Sequence, residues 1–279
     1  MGTALITGAT AGIGLELAWQ LAQAHHDLVL VARDRARLET VAEELRQFAG
    51  VGVQVLPADL SEPGDLAHVA ERAGLSQSDA DLPVAVASVG AGPATASSPA
   101  GPVTAADTTA LPADRLHTTA EVEARPVDLL VNNAGFAVGQ DFVSGSIEQE
   151  RRALAVMVGA VMELTHAAVP GMVARGHGAI LNVASVTALT AMGTYAAHKS
   201  WVRTFTEGLA SELRGTGVTA TVLNPGLTHT EFHARAAMDE SAWPAFVWLQ
   251  ADDVARQALD AVRRGQVICT PSLRYQIAN

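Results

Sequence analysis

Two hydrophobic patterns alternate along the chain. Short runs of almost wholly apolar residues predict buried strands, and apolar residues spaced three and four apart predict helices between them. Strands that are apolar on both faces are typical of a parallel sheet covered by helices on each side. The sequence therefore predicts an α/β fold, a doubly wound parallel sheet with helices on both faces. The predicted strands are 3–7, 27–31, 51–56, 127–131, 178–184, 218–223 and 267–270.

The helical pattern is longest in the second half of the chain. The predicted helices there are 147–174, 195–214 and 252–264. We expect the first of these to be broken at Pro170-Gly171, because proline removes a hydrogen-bond donor from a helix interior. The apolar face of the second comprises Trp201, Val202, Phe205 and Leu209.

The stretch 74–126 interrupts this pattern. It is rich in alanine, proline, serine, threonine and glycine, holds no aromatic residue and contains half of the chain's prolines. Such a composition buries too little apolar area to offset the entropy of ordering. We predict a single domain over 1–279 that contains 74–126 as a flexible, low-complexity insertion, with short helical turns over 113–122.

The composition limits the classes of function. The formal net charge of -11 argues against a nucleic-acid partner. The single cysteine, Cys269, excludes an intramolecular disulfide, and we expect it to be a buried apolar side chain. There is no strongly apolar run of about 18 residues, and the first residues lack the pattern of a signal peptide. These features predict a cytoplasmic protein with no membrane partner.

A glycine-rich turn follows the first predicted strand and leads into a helix. Its glycines would let the backbone approach a pyrophosphate without Cβ clashes, and the helix N-terminus would present unpaired N–H groups to the phosphates. Strand, glycine turn and helix are the setting of a dinucleotide-binding loop. The candidate cofactor-binding residues here are Gly8, Thr10, Gly12, Ile13 and Gly14.

The residues after the second and third strands bear on which dinucleotide is bound. Ala32 stands where an acid would accept bonds from the 2′-hydroxyl of NAD, and Arg33 follows it. The planar guanidinium of arginine suits a 2′-phosphate, so we predict NADP(H) in preference to NAD(H). Past the third strand, Asp59, followed by Leu60, would either bond the adenine amino group or cap the next helix.

Tyr195 and Lys199 are four residues apart. On a helix this spacing puts the phenol and the ammonium on one face. A fixed cation would lower the pKa of a phenol, ordinarily about 10, so that Tyr195 could act as general acid and base near neutral pH. The alternative is a solvated pair on a helix face. Ser185, at the end of the fifth strand, could point at the same substrate oxygen, because ligands gather at the carboxyl ends of parallel strands.

Two further turns at strand ends extend the candidate site. One ends the fourth strand, where asparagine side chains would hold backbone next to a ligand. The other is a Pro-Gly turn after the sixth strand, whose exposed backbone groups could hold a carboxamide. The candidate residues in these turns are Asn132, Ala134, Gly135, Pro225, Gly226, Thr228 and Thr230. Beyond them, four aromatic residues could form a lid over an apolar substrate or pack in the core: Phe232, Trp243, Phe246 and Trp248.

Together these motifs resemble those of the short-chain dehydrogenase/reductase family, whose members have a single Rossmann-like domain. The matching segments, in the family's order, are Thr7-Gly8-x-x-x-Gly12-Ile13-Gly14, Asn132-Asn133-Ala134-Gly135, Ser185, Tyr195-x-x-x-Lys199 and Pro225-Gly226-x-x-x-Thr230. The resemblance implies an NADP(H)-dependent enzyme acting on a small carbonyl or alcohol substrate. It also implies pairing of long helices into a homodimer or homotetramer.

The same resemblance implies a role for each matching residue. Tyr195 would be the general acid in carbonyl reduction and the base in alcohol oxidation. Lys199 would lower the pKa of Tyr195 and bond the nicotinamide ribose, while Ser185 would polarise the substrate oxygen. The Pro225-Gly226 turn and Thr230 would fix the nicotinamide.

Met157 departs from the family's pattern. It stands where the family usually has an asparagine that holds a water linking the lysine to solvent, and a thioether cannot donate a hydrogen bond. We expect turnover to survive, because Ser185, Tyr195 and Lys199 remain. The alternative function is a cofactor-binding sensor or scaffold with little turnover. The interval between Ser185 and Tyr195 is also short for the family, which suggests a tighter loop beside the substrate.

Overall fold

The computed structural model describes residues 2–75, 118–231, 244–272 and 275. The strands are β1 (Thr3–Thr7), β2 (Asp27–Ala32), β3 (Val53–Pro57), β4 (Val127–Asn132), β5 (Gly178–Val183), β6 (Val218–Leu223) and β7 (Ile268–Cys269). They form one parallel sheet in the order β3-β2-β1-β4-β5-β6-β7. The order reverses between β1 and β4, so the crevice for a ligand lies at the carboxyl ends of these two strands.

Helices cover both faces of the sheet, as predicted. They are α1 (Gly12–Gln23), α2 (Arg35–Ala49), α3 (Pro63–Ala73), α4 (Thr119–Glu123), α5 (Ile147–Leu154), α6 (Ala160–Arg175), α7 (Gly193–Glu212) and α8 (Ala251–Arg263). One core lies between the sheet and α1, α2 and α8, and a second core lies between the sheet and α3, α4 and α6. Successive residues of β1 alternate between them, so that Ile6 belongs to the first core and Leu5 to the second.

The predicted break at Pro170-Gly171 is wrong, because α6 continues through Pro170 to Arg175. An interior proline costs a helix roughly 3 kcal/mol, which burial of about two large apolar side chains offsets. The large buried side chains of α6 include Leu164 and Met172. The irregularity lies earlier instead, where Ala155–Gly159 forms a π-helical turn between α5 and α6.

The continuous helical stretch Ile147–Arg175 is long and apolar enough, by length and composition alone, to cross a membrane. Of an apolar stretch of 18 residues within it, 44% is buried inside the domain. A helix in the core of a globular domain has the same pattern. The sequence-based expectation of no membrane partner therefore stays a prediction.

The predicted insertion 74–126 is wrong at its C-terminal end. Thr118 and Glu121 form a capping box that begins α4, so the helical turn predicted near 113–122 is confirmed from Thr119 onward. Val122 is completely buried in the second core, and its carbonyl oxygen accepts a 2.7 Å hydrogen bond from Arg72 Nη2. These contacts make 118–126 part of the domain. The rest of the predicted insertion, 76–117, lies outside the described residues.

Candidate active site

The glycine turn between β1 and α1 is shaped to receive a phosphate. Gly8 and Gly12 have φ angles of 67° and 52°, in the left-handed region that favours glycine. A Cβ on Gly14 would lie 2.4 Å from the Gly8 carbonyl oxygen. The N-cap residue, Ala11, makes no side-chain cap, and the first turn of α1 contains no acid. The N–H groups of this helix N-terminus can therefore serve an anion, and the turn fits a dinucleotide pyrophosphate.

Asn133 fixes the glycine turn to the end of β4. Its Nδ2 donates to the carbonyl oxygens of Thr7 and Gly8, at 3.0 and 3.2 Å. The Thr7 hydroxyl oxygen accepts hydrogen bonds from the N–H groups of Asn133 and Ala134, both at 3.0 Å. The prediction that an asparagine holds backbone at this strand end is confirmed for Asn133.

Asn132 points elsewhere. Its side chain is buried, and its Nδ2 donates to Asn182 Oδ1 at 2.9 Å and to Thr165 Oγ1 at 3.1 Å. These bonds tie β4 to β5 and α6 beneath the site. The structure does not bring the Asn132 side chain to the glycine turn, so a direct cofactor contact of this residue stays a prediction.

Two arginines lie where the nucleotide end of the cofactor is expected. Arg33 directly follows β2 and is exposed. Arg37, in the first turn of α2, makes a two-point ion pair with Glu231, with Nη1 3.2 Å from Oε2 and Nη2 2.5 Å from Oε1. Glu231 follows Thr230, so the pair joins the two ends of the candidate cofactor site. Sequence reasoning missed it, because a contact between residues 194 positions apart leaves no local signal.

Asp59 is held by its neighbours in this crevice. Its Oδ1 accepts hydrogen bonds from the N–H and the hydroxyl of Ser61, and its Oδ2 pairs with Arg152. Burial raises the pKa of this carboxyl, but the contacts with Ser61 and Arg152 outweigh it and hold the pKa below its usual value. The N-cap of α3 is Glu62, so the predicted capping role of Asp59 is wrong. The predicted adenine contact stays a prediction, and Leu60 is buried.

Ser185, Tyr195 and Lys199 are brought together beyond the end of β5. Ser185 caps the 3-10 turn Val186–Leu189, and its side chain is hydrogen-bonded to that of Tyr195 in the first turn of α7. Lys199 lies one helical turn further on. Its Nζ donates to the Val183 carbonyl oxygen at 2.8 Å and sits over the Tyr195 ring, 5.8 Å from the centroid. The predicted placement of both side chains on one helix face is confirmed.

Burial governs the protonation of both groups. It raises the pKa of Tyr195 well above its ordinary value, and the hydrogen bond from Ser185 offsets only part of this. It lowers the pKa of Lys199 to about 8. The predicted lowering of the Tyr195 pKa by Lys199 is therefore wrong for this structure. Burial of the phenol dominates its pKa, and Ser185, not Lys199, is the group that acts against it.

Met157 lies behind the lysine, inside the π-helical turn. It is almost completely buried. A Cβ built on Gly135 would lie 3.5 Å from the Met157 sulfur and 3.3 Å from Lys199 Nζ, so both side chains approach the same face of Gly135. The thioether thus occupies the position beside the lysine that the sequence pattern assigned to it.

A pocket of about 400 Å³ opens beside Tyr195. Two short segments, 137–141 and 192–195, line it. They mix apolar side chains such as Met192 with polar ones such as Asp141. The Gln140 side chain is held in place at this wall. Its amide nitrogen, Nε2, donates to the Ser146 carbonyl oxygen at 3.0 Å and to Glu150 Oε1 at 3.1 Å. The pocket can admit a small molecule to the Tyr195 hydroxyl.

The Pro225-Gly226 turn is clamped from the C-terminal end of the chain. Tyr275 Oη accepts from the Leu227 N–H at 3.2 Å and donates to the Val247 carbonyl oxygen at 2.9 Å. A Cβ on Gly226 would lie 2.1 Å from the Tyr275 ring, so this close approach requires glycine. Sequence reasoning missed Tyr275, because nothing in its neighbourhood along the chain signals this contact.

The same turn is tied to the rest of the site. The Pro225 carbonyl oxygen accepts a 3.1 Å bond from the N–H of Val186, next to Ser185. Thr228 is buried and donates from Oγ1 to the Gly226 carbonyl oxygen at 2.9 Å.

Thr230 reaches back to the glycine turn. A Cβ on Gly12 would lie 2.9 Å from Thr230 Cγ2. Of the other residues predicted in the glycine turn, Thr10 is half-buried and Ile13 packs against the first core. The structure therefore gathers the predicted phosphate turn and the predicted nicotinamide turn at one crevice.

Two of the four aromatic residues predicted as a lid, Phe232 and Trp243, lie outside the described residues. Phe246 is exposed, and Trp248 stacks on His229 with the ring centroids 4.7 Å apart. The lid stays a prediction. The predicted burial of Cys269 is confirmed, and burial raises the pKa of its thiol to about 11.

The chain matches the family model described as short chain dehydrogenase over residues 2–110 and 94–241. It is 31% identical over 261 residues to sulfoacetaldehyde reductase 2 of Chromohalobacter salexigens, covering 90% of this chain and 84% of that protein. It is 29% identical over 233 residues to an NADP-dependent 3-hydroxy acid dehydrogenase of Salmonella typhi, covering 82% and 73%.

Solved structures give the same result. A short-chain dehydrogenase from Sphingobium yanoikuyae in complex with NADPH superposes with a TM-score of 0.77 at 30% identity, covering 100% of this chain and 92% of that chain. The chain spans 91% of the length of one curated relative, an oxidoreductase of Staphylococcus saprophyticus, and 53% of another, a very-long-chain 3-oxoacyl-CoA reductase of Laccaria bicolor. The family model, the relatives and the Rossmann-like sheet establish that this chain belongs to the short-chain dehydrogenase/reductase family of oxidoreductases.

Proposed function

We propose that this protein is an NADP(H)-dependent oxidoreductase that interconverts a carbonyl and an alcohol. The observation that carries the proposal is the hydrogen-bonded pair of Ser185 and Tyr195 beside an open pocket, with Lys199 one helical turn away. Tyr195 lines this pocket and Ser185 is hydrogen-bonded to it, so the two hydroxyls would be able to donate to a single substrate oxygen, which is the arrangement that carbonyl reduction requires.

The glycine turn, the end of β4 and the Pro225-Gly226 turn would hold the dinucleotide, which supplies the hydride when it is bound. The residues of the chain supply position and protons. The raised pKa keeps Tyr195 protonated at neutral pH, ready to donate its proton to the substrate oxygen. Ser185 donates a second hydrogen bond to that oxygen and so stabilises the charge that develops on it. In alcohol oxidation the Tyr195 oxygen takes the proton back.

The preference for NADP(H) rests on Arg33 and on relatives. Arg33 is exposed at the end of β2, where its guanidinium can pair with a 2′-phosphate. A similar solved structure contains NADPH, and a similar curated protein is NADP-dependent.

The substrate is a small carbonyl or alcohol compound with apolar character. Met192 lines the pocket and is 64% exposed, so the mouth offers an apolar contact surface. The long helical stretch also bears exposed apolar side chains, including Leu154, Met162 and Val173. Such a surface supports a homodimer or homotetramer, and the cytoplasm remains the proposed location.

The test is a screen of aldehydes, ketones and secondary alcohols that follows the absorbance of NADPH, with Tyr195→Phe as the comparison. We expect the variant to lose about 10²–10⁴-fold in kcat and to keep its affinity for NADPH, measured by fluorescence titration. The exposed Thr190→Val is the matched control on the same loop. Equal turnover in the wild-type protein and Tyr195→Phe would refute the proposal.

A second candidate is a cofactor-binding sensor or scaffold with little turnover. Met157 favours it, because an apolar, buried side chain beside Lys199 cannot donate a hydrogen bond to a water in the proton path. Binding of NADPH without turnover across the whole panel would support this candidate against the first.

A further inference from the structure

Thr187 extends the Ser185–Tyr195 pair to a row of three hydroxyls. The Thr187 Oγ1 lies 2.9 Å from Ser185 Oγ, and the Thr187 N–H donates to the same Ser185 oxygen at 3.2 Å. Ser185 is in turn hydrogen-bonded to Tyr195. Thr187 is half-buried on the 3-10 turn that follows β5, and of the three residues only Tyr195 is in the pocket lining. Thr187 is therefore connected to Tyr195 through Ser185.

The number of protons in this row fixes its direction. Ser185 Oγ carries one proton and two acceptor lone pairs. The Thr187 N–H can only donate, so it occupies one of these lone pairs, and the Thr187 hydroxyl donates to the same oxygen at the other. With Thr187 as the donor in both bonds, the single Ser185 proton points away from Thr187, toward Tyr195 or, once substrate is bound, toward the substrate oxygen. Both acceptor positions of Ser185 are thereby filled by Thr187, through its N–H and its hydroxyl.

From this row we infer that Thr187 is a positioning residue that orients the Ser185 hydroxyl toward Tyr195 and the substrate oxygen. The inference rests on the proposed function and deepens it. With both lone pairs of Ser185 occupied, its hydroxyl has one direction in which to donate. A hydroxyl that accepts hydrogen bonds is also a better donor, because successive bonds polarise one another. Loss of the Thr187 hydroxyl leaves Ser185 free to rotate.

A local role in the turn is the competing explanation. Ser185 caps the 3-10 turn through the Thr187 N–H, and this bond does not need the Thr187 side chain. Thr190 in the same loop donates from its hydroxyl to the Thr187 carbonyl oxygen at 2.8 Å and makes a purely structural contact. Thr190→Val is therefore the control for any loss of loop stability.

The first experiment is a double-mutant cycle in kcat. Thr187→Val keeps the shape and removes the hydroxyl, and we expect kcat to fall about tenfold, or about 1.4 kcal/mol of barrier, with the KM for NADPH unchanged. Thr187→Ser restores the hydroxyl and is expected to restore kcat. In a Ser185→Ala background, Thr187→Val should cause no further loss, because its effect passes through Ser185.

The second experiment needs no substrate. The chain has two tyrosines, so a protein labelled with ¹³C at the tyrosine Cζ gives two signals, and Tyr195→Phe assigns them. The Cζ shift responds to hydrogen bonding at the phenol oxygen. We expect the Tyr195 signal to move in the same direction in Thr187→Val and in Ser185→Ala, and to stay in place in Thr187→Ser and Thr190→Val.

The two readouts separate the failure of this inference from the failure of the proposed function. If no carbonyl compound is turned over, the proposed function fails and the Tyr195 signal still decides the role of Thr187. An unmoved Tyr195 signal in Thr187→Val would overturn the inference. Equal losses of kcat in Thr187→Val and Thr187→Ser would also overturn it. So would a full additional loss of kcat when Thr187→Val is combined with Ser185→Ala.

Discussion

Lys199 Nζ sits over the Tyr195 ring, 5.8 Å from its centroid, and the same ammonium donates a hydrogen bond to the Val183 carbonyl oxygen. Burial favours the neutral form of each group. It raises the pKa of the Tyr195 phenol and lowers the pKa of the Lys199 amine to about 8. The lysine thus changes charge at a pH at which the tyrosine remains protonated. We therefore expect the lysine, and not the tyrosine, to set the alkaline limit of the proposed reduction in the free protein.

We expect kcat/KM for NADPH in the reductive direction to be constant below neutral pH and to fall as the pH rises through about 8. This quantity reports the ionisation of the free enzyme, and Lys199 loses its charge on the alkaline side of its lowered pKa. The measurement is the initial rate of NADPH oxidation across the pH range. In Lys199→Arg, whose guanidinium stays charged, the remaining activity should not fall at this pH. The same alkaline fall in both proteins would exclude Lys199 as its cause.

Arg33→Ala should raise the KM for NADPH about ten- to hundredfold and leave the KM for NADH unchanged. The reason is the loss of a charge-assisted contact with the 2′-phosphate, worth roughly 1.5–3 kcal/mol. Arg35→Ala is the matched control, because Arg35 is also exposed and pairs only loosely with Glu39 on its own helix, at 3.7 Å. A wild-type preference for NADH would contradict the assignment of NADP(H).

Met157→Asn should raise kcat by less than about tenfold. The protein already places Ser185, Tyr195 and Lys199 together, and an amide at this buried position would need new partners of its own. Steady-state kinetics checks the expectation, with Met157→Leu as an apolar variant of similar size. A gain above tenfold, about 1.4 kcal/mol of barrier, would mean that the thioether limits proton supply.

Arg72→Met should lower the free energy of unfolding by about 2–4 kcal/mol. Arg72 is buried, and burial lowers its pKa to about 10. Its Nε and Nη2 donate to Gln54 Oε1 and to the Val122 carbonyl oxygen, both at 2.7 Å, so the variant leaves both acceptors without this donor. Urea denaturation measures the change. The exposed Arg214→Met should stay within about 0.5 kcal/mol of the wild type, and an equal loss in both variants would contradict the role of Arg72.

Most of the sheet could be predicted from the sequence, because each strand is a short apolar run and hydrophobic periodicity is local. The strands β1 and β6 have the predicted bounds, and β7 is shorter, at Ile268–Cys269. The path of the helix through Pro170 could not be predicted. Propensity alone disfavours a proline inside a helix, and only packing of the inner face of α6 against the sheet outweighs that cost.

The candidate site divides in the same way. Part of the site could be predicted from the sequence because its features are local or match an ordered set of motifs. These features are the glycine turn, Ser185 and the Tyr195–Lys199 spacing. The role of Tyr275 is not readable, since it depends on a contact with Leu227, 48 positions away. The contact of Thr187 with Ser185 is local, but it depends on the 3-10 turn that follows β5, which hydrophobic periodicity does not predict.

The sequence by itself determined the class of fold, the family and the residues able to carry out acid–base chemistry, since these follow from local periodicity and from the chemical nature of the side chains. Only the tertiary structure decided how those residues are protonated and oriented. The pKa of Lys199 is lowered because the folded chain removes water from it, and the Ser185 hydroxyl has one direction because Thr187 occupies its acceptor positions. Desolvation arises only when distant segments meet, and the hydrogen-bond geometry at Ser185 arises only when the chain folds into the 3-10 turn.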